Sequence, residues 1–451
     1  MLCPQVVKMH QNISPYDVLN MNPLLLWLRK CFSNLPRASR IIFISGCIIF
    51  TIVFMYSTRE IRIVEFPQEL VDQHVIKDDG GFYRILKGPM PSVNLVVAAT
   101  SKEDYSWVKE LKVPGMKVVP YIADDLNATH HAQKNKGHEA MMYHQYFYDF
   151  YDNLPDISIL IHSQQRSWHI EQLLDQSMSF SLNHLDLREV QRRGFLNLRV
   201  TWGIGCSSGS MNTTRVNEES STSPEQKEMQ EAFRANFNVY NVPEILATPC
   251  CSQIAVTKER IRSVPREQYQ HHIKWLLDSN LSDSISGRTW EHMWQYLFLE
   301  KSIDCPLEHK AYCRLYHICF GGREEYEEWI ELNQGRSQLE KELEKLVKVA
   351  EQPLRKDKDG KIVEDKQNEK VLTDAEIKSK ETMKKWLEKE LRTVREAIRV
   401  RREVAVVRGS VEANRVAEGV NLYGDEVEPG VEDKIFPQTV SSVVASSTAL
   451  S

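Results

Sequence analysis

The feature that most limits what this chain can be is an apolar run at 41–56, IIFISGCIIFTIVFMY, which holds no charge and no proline. As a helix these sixteen residues rise about 24 Å; with Ser57 and Thr58 the span is about 27 Å, near the hydrocarbon thickness of early secretory membranes. A buried core helix is the alternative, but charged residues bracket the run and it carries no amphipathic stripe. Arg29, Lys30, Arg37 and Arg40 lie upstream, against Arg59 and Arg62 close downstream, so the positive-inside rule keeps the N-terminus cytoplasmic. The long leader and the lack of a small-x-small site argue against a cleaved signal peptide. The expectation is a single-pass type II protein, anchored at 41–58 in the endoplasmic reticulum or Golgi membrane.

The remainder of the chain agrees with that placement. Six cysteines follow the span (Cys206, Cys250, Cys251, Cys305, Cys313, Cys319), enough for three disulfides in an oxidising lumen, and no C-x-x-C pair points to metal instead. N-x-S/T sequons begin at Asn127, Asn212 and Asn280, consistent with a glycoprotein. A net charge of −5 without a concentrated basic face excludes nucleic acid as the main partner.

Residues 1–40 read as a cytoplasmic tail, 59–92 as a stem, and 93–333 as one α/β domain. Runs at 94–99 (NLVVAA) and 116–123 (MKVVPYIA) suit buried strands of a parallel sheet, with a short helix at 102–111 between them. Pro120 demotes the second strand to an edge or a bulge. After the turn Asn135-Lys136-Gly137, Tyr143, Tyr146, Phe147 and Phe150 share one helical face, and 157–163 (ISILIHS) is a third strand. Strand–helix–strand–helix–strand predicts a doubly wound mixed sheet. Further strands are expected at 196–202 and 252–257, and helices at 258–261, 266–278 and 288–300, with Trp290 and Trp294 facing the core one turn apart. Residues 334–408 read as a charged helical extension, solvated by default, whose segment 338–403 can take a helical partner as a hairpin or coiled coil. Residues 409–451 read as disordered.

Ligands of open α/β sheets bind beyond the carboxyl ends of strands. That rule nominates Glu103 and Asp104 after the first strand, and Asp124 and Asp125 after the second, where an acidic pair suits Mg²⁺ or Mn²⁺ or else an ordinary turn. Lys136 and Gly137 feed a helix start, which is an anion site or a plain N-terminus, with Glu139 just inside. His162 closes the third strand, and Arg166, Trp168 and His169 follow; such a group suits a metal, a base or a stacked sugar. The chain holds no P-loop, G-x-S-x-G elbow or H-E-x-x-H.

At these residues the chain resembles a fungal family, the domain of unknown function 3431. The resemblance rests on NLVVAATSKEDYSWV (94–108), NKGHEAMMYHQYFYDFYDNLPDISILIHSQQRSWH (135–169), RVTWGIGC (199–206), PCCSQIAVTKERIRSVP (249–265), SGRTWEHMWQYLF (286–298) and CPLEHKAYCRLYHICFGG (305–322). The family's E-D-x-x-W run is kept at Glu103, Asp104 and Trp107. The resemblance implies a glycosyltransferase-like domain of the GT-A type on a type II membrane protein, with a nucleotide-diphosphate sugar as donor. In that reading Glu139, His162 and His169 are catalytic candidates. Glu103, Asp104, Lys136, Gly137, Arg166 and Trp168 are substrate contacts, and Asp124 and Asp125 would hold Mn²⁺ or Mg²⁺. The D-x-D metal motif of such transferases is absent. The alternative is a non-catalytic lumenal binding or scaffold protein on the same fold.

Overall fold

The computed structural model describes residues 89–206, 210–216, 223–350 and 374–424. The anchor at 41–58, the tail before it and nearly all of the stem lie outside these residues. Among the described residues no helix is long and apolar enough to cross a membrane.

Strands β1 (Val93–Ala99), β2 (Met116–Ile122), β3 (Ile157–His162), β4 (Phe195–Asn197) and β7 (Ile254–Thr257) form one sheet in the order β2-β1-β3-β7-β4. The short β5 (Met211–Asn212) and β6 (Ile245–Leu246) pair separately. β1 runs parallel to β2 and β3, whereas β7 runs antiparallel to both β3 and β4. β2 is an edge strand, which is where Pro120, opposite Val97, removes a donor at least cost.

The helices follow in chain order. They are α1 (His138–Asp149), α2 (Met178–His184), α3 (Leu187–Arg193), α4 (Met229–Phe237), α5 (Lys258–Ser263) and α6 (Arg266–Asp278). Then come α7 (Asp283–Glu291), α8 (Trp294–Leu299), α9 (Glu308–Tyr316), α10 (Arg323–Ala350), α11 (Asp374–Ser410) and α12 (Glu412–Glu418). The period of two along the strands sorts their side chains into two cores. Val96, Ala98, Leu160, Ile254 and Val256 face α1 and α4–α8. Leu95, Val97, Ile159, Ile161 and Ala255 face α2, α3, α9 and the nearer parts of α10 and α11. Helices thus cover both faces of a five-stranded mixed sheet. The aromatic stripe of α1 is buried as its spacing predicts, with Tyr143, Tyr146 and Phe147 inaccessible, and Trp290 and Trp294 are buried beside them.

Three regions differ from the sequence reading. The strand expected at 196–202 stops at Asn197, because the N–H groups of Val200 and Thr201 donate to the buried Glu171 carboxylate (2.7 and 2.8 Å) instead of to a neighbouring strand. The helix expected at 288–300 breaks into α7 and α8, since His292 and Met293 turn back on Thr289 and Trp290 with tighter i→i+3 bonds. Finally, the C-terminal helices are part of the fold. Leu387, Leu391, Val394 and Ala397 form a buried stripe on α11, Ala405 enters the second core, and α10 pairs antiparallel with α11 through Arg395–Glu340 and Arg401–Glu328. Residues 412–418, expected to be disordered, are α12, and Leu422 is buried beyond it. The Lys310 ammonium donates to the carbonyls of Val420, Asn421 and Gly424, which fixes this segment in place.

All six cysteines after the expected span are bonded, as Cys206–Cys305, Cys250–Cys251 and Cys313–Cys319.

Candidate functional site

β1 leads to β2 on one side, and the chain then crosses back through α1 to β3 on the other. The carboxyl ends of β1 and β3 therefore form the topological switch point, where α/β sheets receive ligands. Here β3 ends on His162, and α1 starts from Gly137, whose φ of 73° is left-handed. A Cβ at Gly137 would lie 2.6 Å from Leu276 Cδ2, so only glycine fits between α1 and α6. A Cβ at Gly287 would lie 3.0 Å from the Gly137 carbonyl oxygen, so the missing side chain lets α7 cross close to the start of α1. Glu291 lies one turn beyond Gly287, on the same helical face, and is thereby carried toward Glu139.

The result is an enclosed acid–base cluster. Glu139 Oε2 stands 3.7 Å from His162 Nε2, an ion-pair distance too long for a hydrogen bond. The His162 and His169 rings meet edge to face with centroids 4.9 Å apart. His162 Nε2, His169 Nδ1 and the hydroxyl of the inaccessible Tyr143, one turn after Glu139, are buried without a hydrogen-bond partner among the described residues. Burial disfavours the charged form of His162, yet Glu139, Glu291 and Glu103 together hold its pKa above the ordinary value. The same pairing overcomes burial at Glu139 and holds that carboxyl low. Burial, then the charge of Glu139, pushes Glu291 up to about 7, and burial with the charge of His162 pushes His169 down to about 4. The cluster thus combines a Glu139 biased toward its anionic form, a His162 biased toward its protonated form, a His169 biased toward neutrality and a Glu291 biased toward holding its proton. Titratable groups driven apart in this way are equipped to give and take protons.

Trp168 packs on His169 (centroids 4.1 Å) at the rim. Arg199 Nη1 donates to the carbonyls of both residues, and Arg199 lies 3.9 Å from Glu171.

The other nominated residues serve the framework. Glu103 Oε2 accepts from Thr100 N and Oγ1, though its charge reaches His162. Asp104 caps the turn at Ser106. Both oxygens of Asp124 accept from Ser101 (2.7 and 2.9 Å), tying the end of β2 to that of β1, and Asp125 Oδ1 accepts from Asn127 N. The Lys136 ammonium donates to the carbonyls of Ser279 and Leu281, and the first N–H of α1, on His138, donates to Asp283. Arg166 donates to the Asp175 carbonyl. So Glu139, His162, His169 and Trp168 come together, whereas Lys136 and the start of α1 have their charge satisfied within the chain. Asp124 and Asp125 each accept turn hydrogen bonds, and among the described residues Cys313, Cys319 and Glu418 form the one group of three potential metal ligands within ligating distance of one another. Those two cysteines are joined to each other.

Sequence reasoning missed Glu291, Tyr143 and Arg199. Tyr143 carried a signal, since it lies i+4 from Glu139 on one face of a predicted helix. Glu291 had none, because only the crossing of α7 at Gly287 brings it in.

Fold and site together define an α/β domain with a cluster of ionisable side chains at its switch point. Residues 95–314 match the family model described as "Protein of unknown function (DUF3431)". No curated protein and no solved structure matches the chain.

Proposed function

We propose that this domain is an acid–base transferase of the nucleotide-sugar class, anchored by the apolar run at 41–58 and facing the lumen of the endoplasmic reticulum or Golgi. The observation that carries the proposal is the Glu139–His162 pair at the switch point, with Glu291 beside it. In the proposed step Glu139 takes the proton of an acceptor hydroxyl. The acceptor oxygen forms its bond to the anomeric carbon of the donor as the nucleoside diphosphate leaves, and His162 holds Glu139 in its anionic form. Asp124 and Asp125, whose carboxylates accept turn hydrogen bonds, would be the residues to hold a divalent ion, which would neutralise charge on the diphosphate, while the proton transfer rests on Glu139 and His162. Three sulfur–sulfur bonds among the post-span cysteines support an oxidising compartment.

A second reading, a non-catalytic lumenal binding protein, draws on the internal satisfaction of Lys136 and of the α1 N-terminus by Asp283. Turnover separates the two. Full-length protein is incubated with UDP- and GDP-sugars, with and without Mn²⁺, and nucleotide release is followed. The transferase predicts release that Glu139→Gln lowers by about 10²-fold or more. Absence of release with every donor, or full release by Glu139→Gln, would remove the catalytic reading.

A further inference from the structure

We infer that Trp168 is the platform on which a sugar ring stacks while Glu139 and His162 act on it. This identifies the substrate class for the transferase reading and rests on that reading only for the chemistry, not for the binding.

Trp168 is 62% exposed. An indole left in water gives up much of the stabilisation that burial would supply, and loops usually turn such a group inward. Here the loop is held so that it cannot. Arg199 Nη1 donates to the carbonyls of Trp168 and His169 at 3.3 Å each, and its Nε donates to Thr201 Oγ1 at 3.2 Å. The guanidinium carbon lies 6.0 Å from the Trp168 ring centroid, and the His169 ring packs at 4.1 Å. At the base of the loop, Arg166 pairs with Ser177 as a β-bridge and donates to the Asp175 carbonyl, while Met178 N donates to Gln165 O. Both ends of the loop are therefore tied, and Trp168 is presented at little further entropic cost on binding.

Arg199 in turn is seated. Its side chain is almost enclosed, beside Glu171, and Nη1 lies 3.8 Å from Cys251 Sγ. The bonded neighbours Cys250 and Cys251 keep the turn before β7 in a shape with two successive left-handed residues, Cys251 (φ 89°) and Ser252 (φ 45°). The Cys250–Cys251 bond thus underlies Arg199, and Arg199 underlies Trp168.

The chemistry of the surroundings selects the occupant. A pyranose has an apolar C–H face that matches the negative face of an indole, and a hydroxyl edge that matches polar side chains. Gln164 and Arg166 are exposed beside Trp168, and no other large apolar side chain is exposed between 164 and 177. A protein partner would need a contiguous apolar patch, which this loop does not offer. Ring contacts lead directly from Trp168 to His169 and His162, and Glu139 stands next to His162. Trp168 is thus joined to the Glu139–His162 pair through the single ring of His169.

The test uses full-length protein in detergent and a panel of disaccharides of mannose, glucose, galactose and N-acetylglucosamine at millimolar concentration. Binding is read by saturation-transfer NMR and by tryptophan fluorescence. At least one disaccharide is expected to bind, with transfer concentrated on one face of a ring. Trp168→Ala should weaken binding about tenfold and Trp168→Phe only about threefold, with unchanged melting temperature because the side chain is exposed. Arg199→Lys should weaken it as well, by loosening the loop. No bound disaccharide, or equal binding by Trp168→Ala, overturns the platform. Glu139→Gln should keep disaccharide binding while losing nucleotide release. Retained release would therefore refute the catalytic reading alone, and lost binding in Trp168→Ala would support the platform whatever the turnover result.

Discussion

His144 gives the sharpest quantitative prediction. Its ring is inaccessible, neither nitrogen has a hydrogen-bond partner among the described residues, and it is walled in by Trp290 (4.1 Å), His272 (4.7 Å) and Trp294 (5.0 Å). Burial, then the neighbouring His272, holds its pKa well below 6.5. The folded state therefore binds less proton at His144 than the unfolded chain as pH falls below about 6.5. Linkage makes the sign definite: a histidine depressed by folding removes stability as pH falls below its unfolded value. Between pH 7 and pH 5 the loss is at most about 2 kcal/mol, the limit set by a slope of about 1.4 kcal/mol per pH unit acting over about 1.5 units. Wild type cannot report this cleanly, because Glu291, raised to about 7, takes up a proton on folding over the same range and offsets it. His144→Phe removes the histidine contribution and leaves the others in place. Its loss of stability from pH 7 to pH 5 should accordingly be smaller than that of wild type, by at most about 2 kcal/mol. Urea unfolding at both pH values, followed by tryptophan fluorescence, measures the difference, since Trp290 and Trp294 line the cluster. Equal pH dependence in the two proteins, or an NMR titration of His144 near 6.5 in the folded state, would refute the reasoning.

Four further outcomes are expected. Removing Cys206–Cys305, which spans 99 residues, by Cys206→Ser/Cys305→Ser should cost roughly 2–5 kcal/mol in denaturant melts, and a cost near zero would mean that the bond is not formed. Gly205→Ala puts a Cβ 2.0 Å from the Thr248 carbonyl oxygen at a φ of 96°, so expression and melting temperature should drop steeply; a wild-type melt would disprove that approach. Gly287→Ala should force α7 from α1, and Glu291, relieved of Glu139, should titrate closer to an ordinary carboxyl, as carboxyl ¹³C shifts would record. A chain stopped after residue 408 loses α12, Leu422 and the Tyr423 hydroxyl on Asp304 (2.6 Å), and should be visibly less stable in proteolysis than the full chain.

How much of this was legible in the sequence follows from how each signal is encoded. β1 and β3 were readable because strands buried on both faces are continuous apolar runs, and α1 because its aromatics repeat at helical spacing. The edge position of β2 was written in one residue, Pro120. The sheet order was not readable. β7 inserts antiparallel between β3 and β4 from about a hundred residues further on, and its four residues, IAVT, specify no neighbour. The extent of β4 was misread because Glu171, distant in sequence, takes the N–H groups of Val200 and Thr201. For the C-terminal region composition misled: Lys and Glu dominate α11, while a thin stripe through Leu387, Leu391, Val394 and Ala397 decides that it packs.

The same distinction separates the parts of the site. Glu139, His162 and His169 lie at strand and helix ends, so the topology of an α/β sheet nominates them from sequence alone. Lys136, Asp124 and Asp125 were nominated by the same rule, yet their charges are spent on Ser279, Leu281, Ser101 and Asn127. Position at a strand end is therefore necessary but does not discriminate. Strand-end position combined with polar atoms that lack a hydrogen bond within the chain narrows the set. Among the described residues, His169 Nδ1 and the Tyr143 hydroxyl are buried without a hydrogen bond, as is His162 Nε2 apart from its ion pair with Glu139, and each such group costs on the order of 1–3 kcal/mol. In the transferase reading proposed above, these are the groups left to meet a substrate at the strand ends.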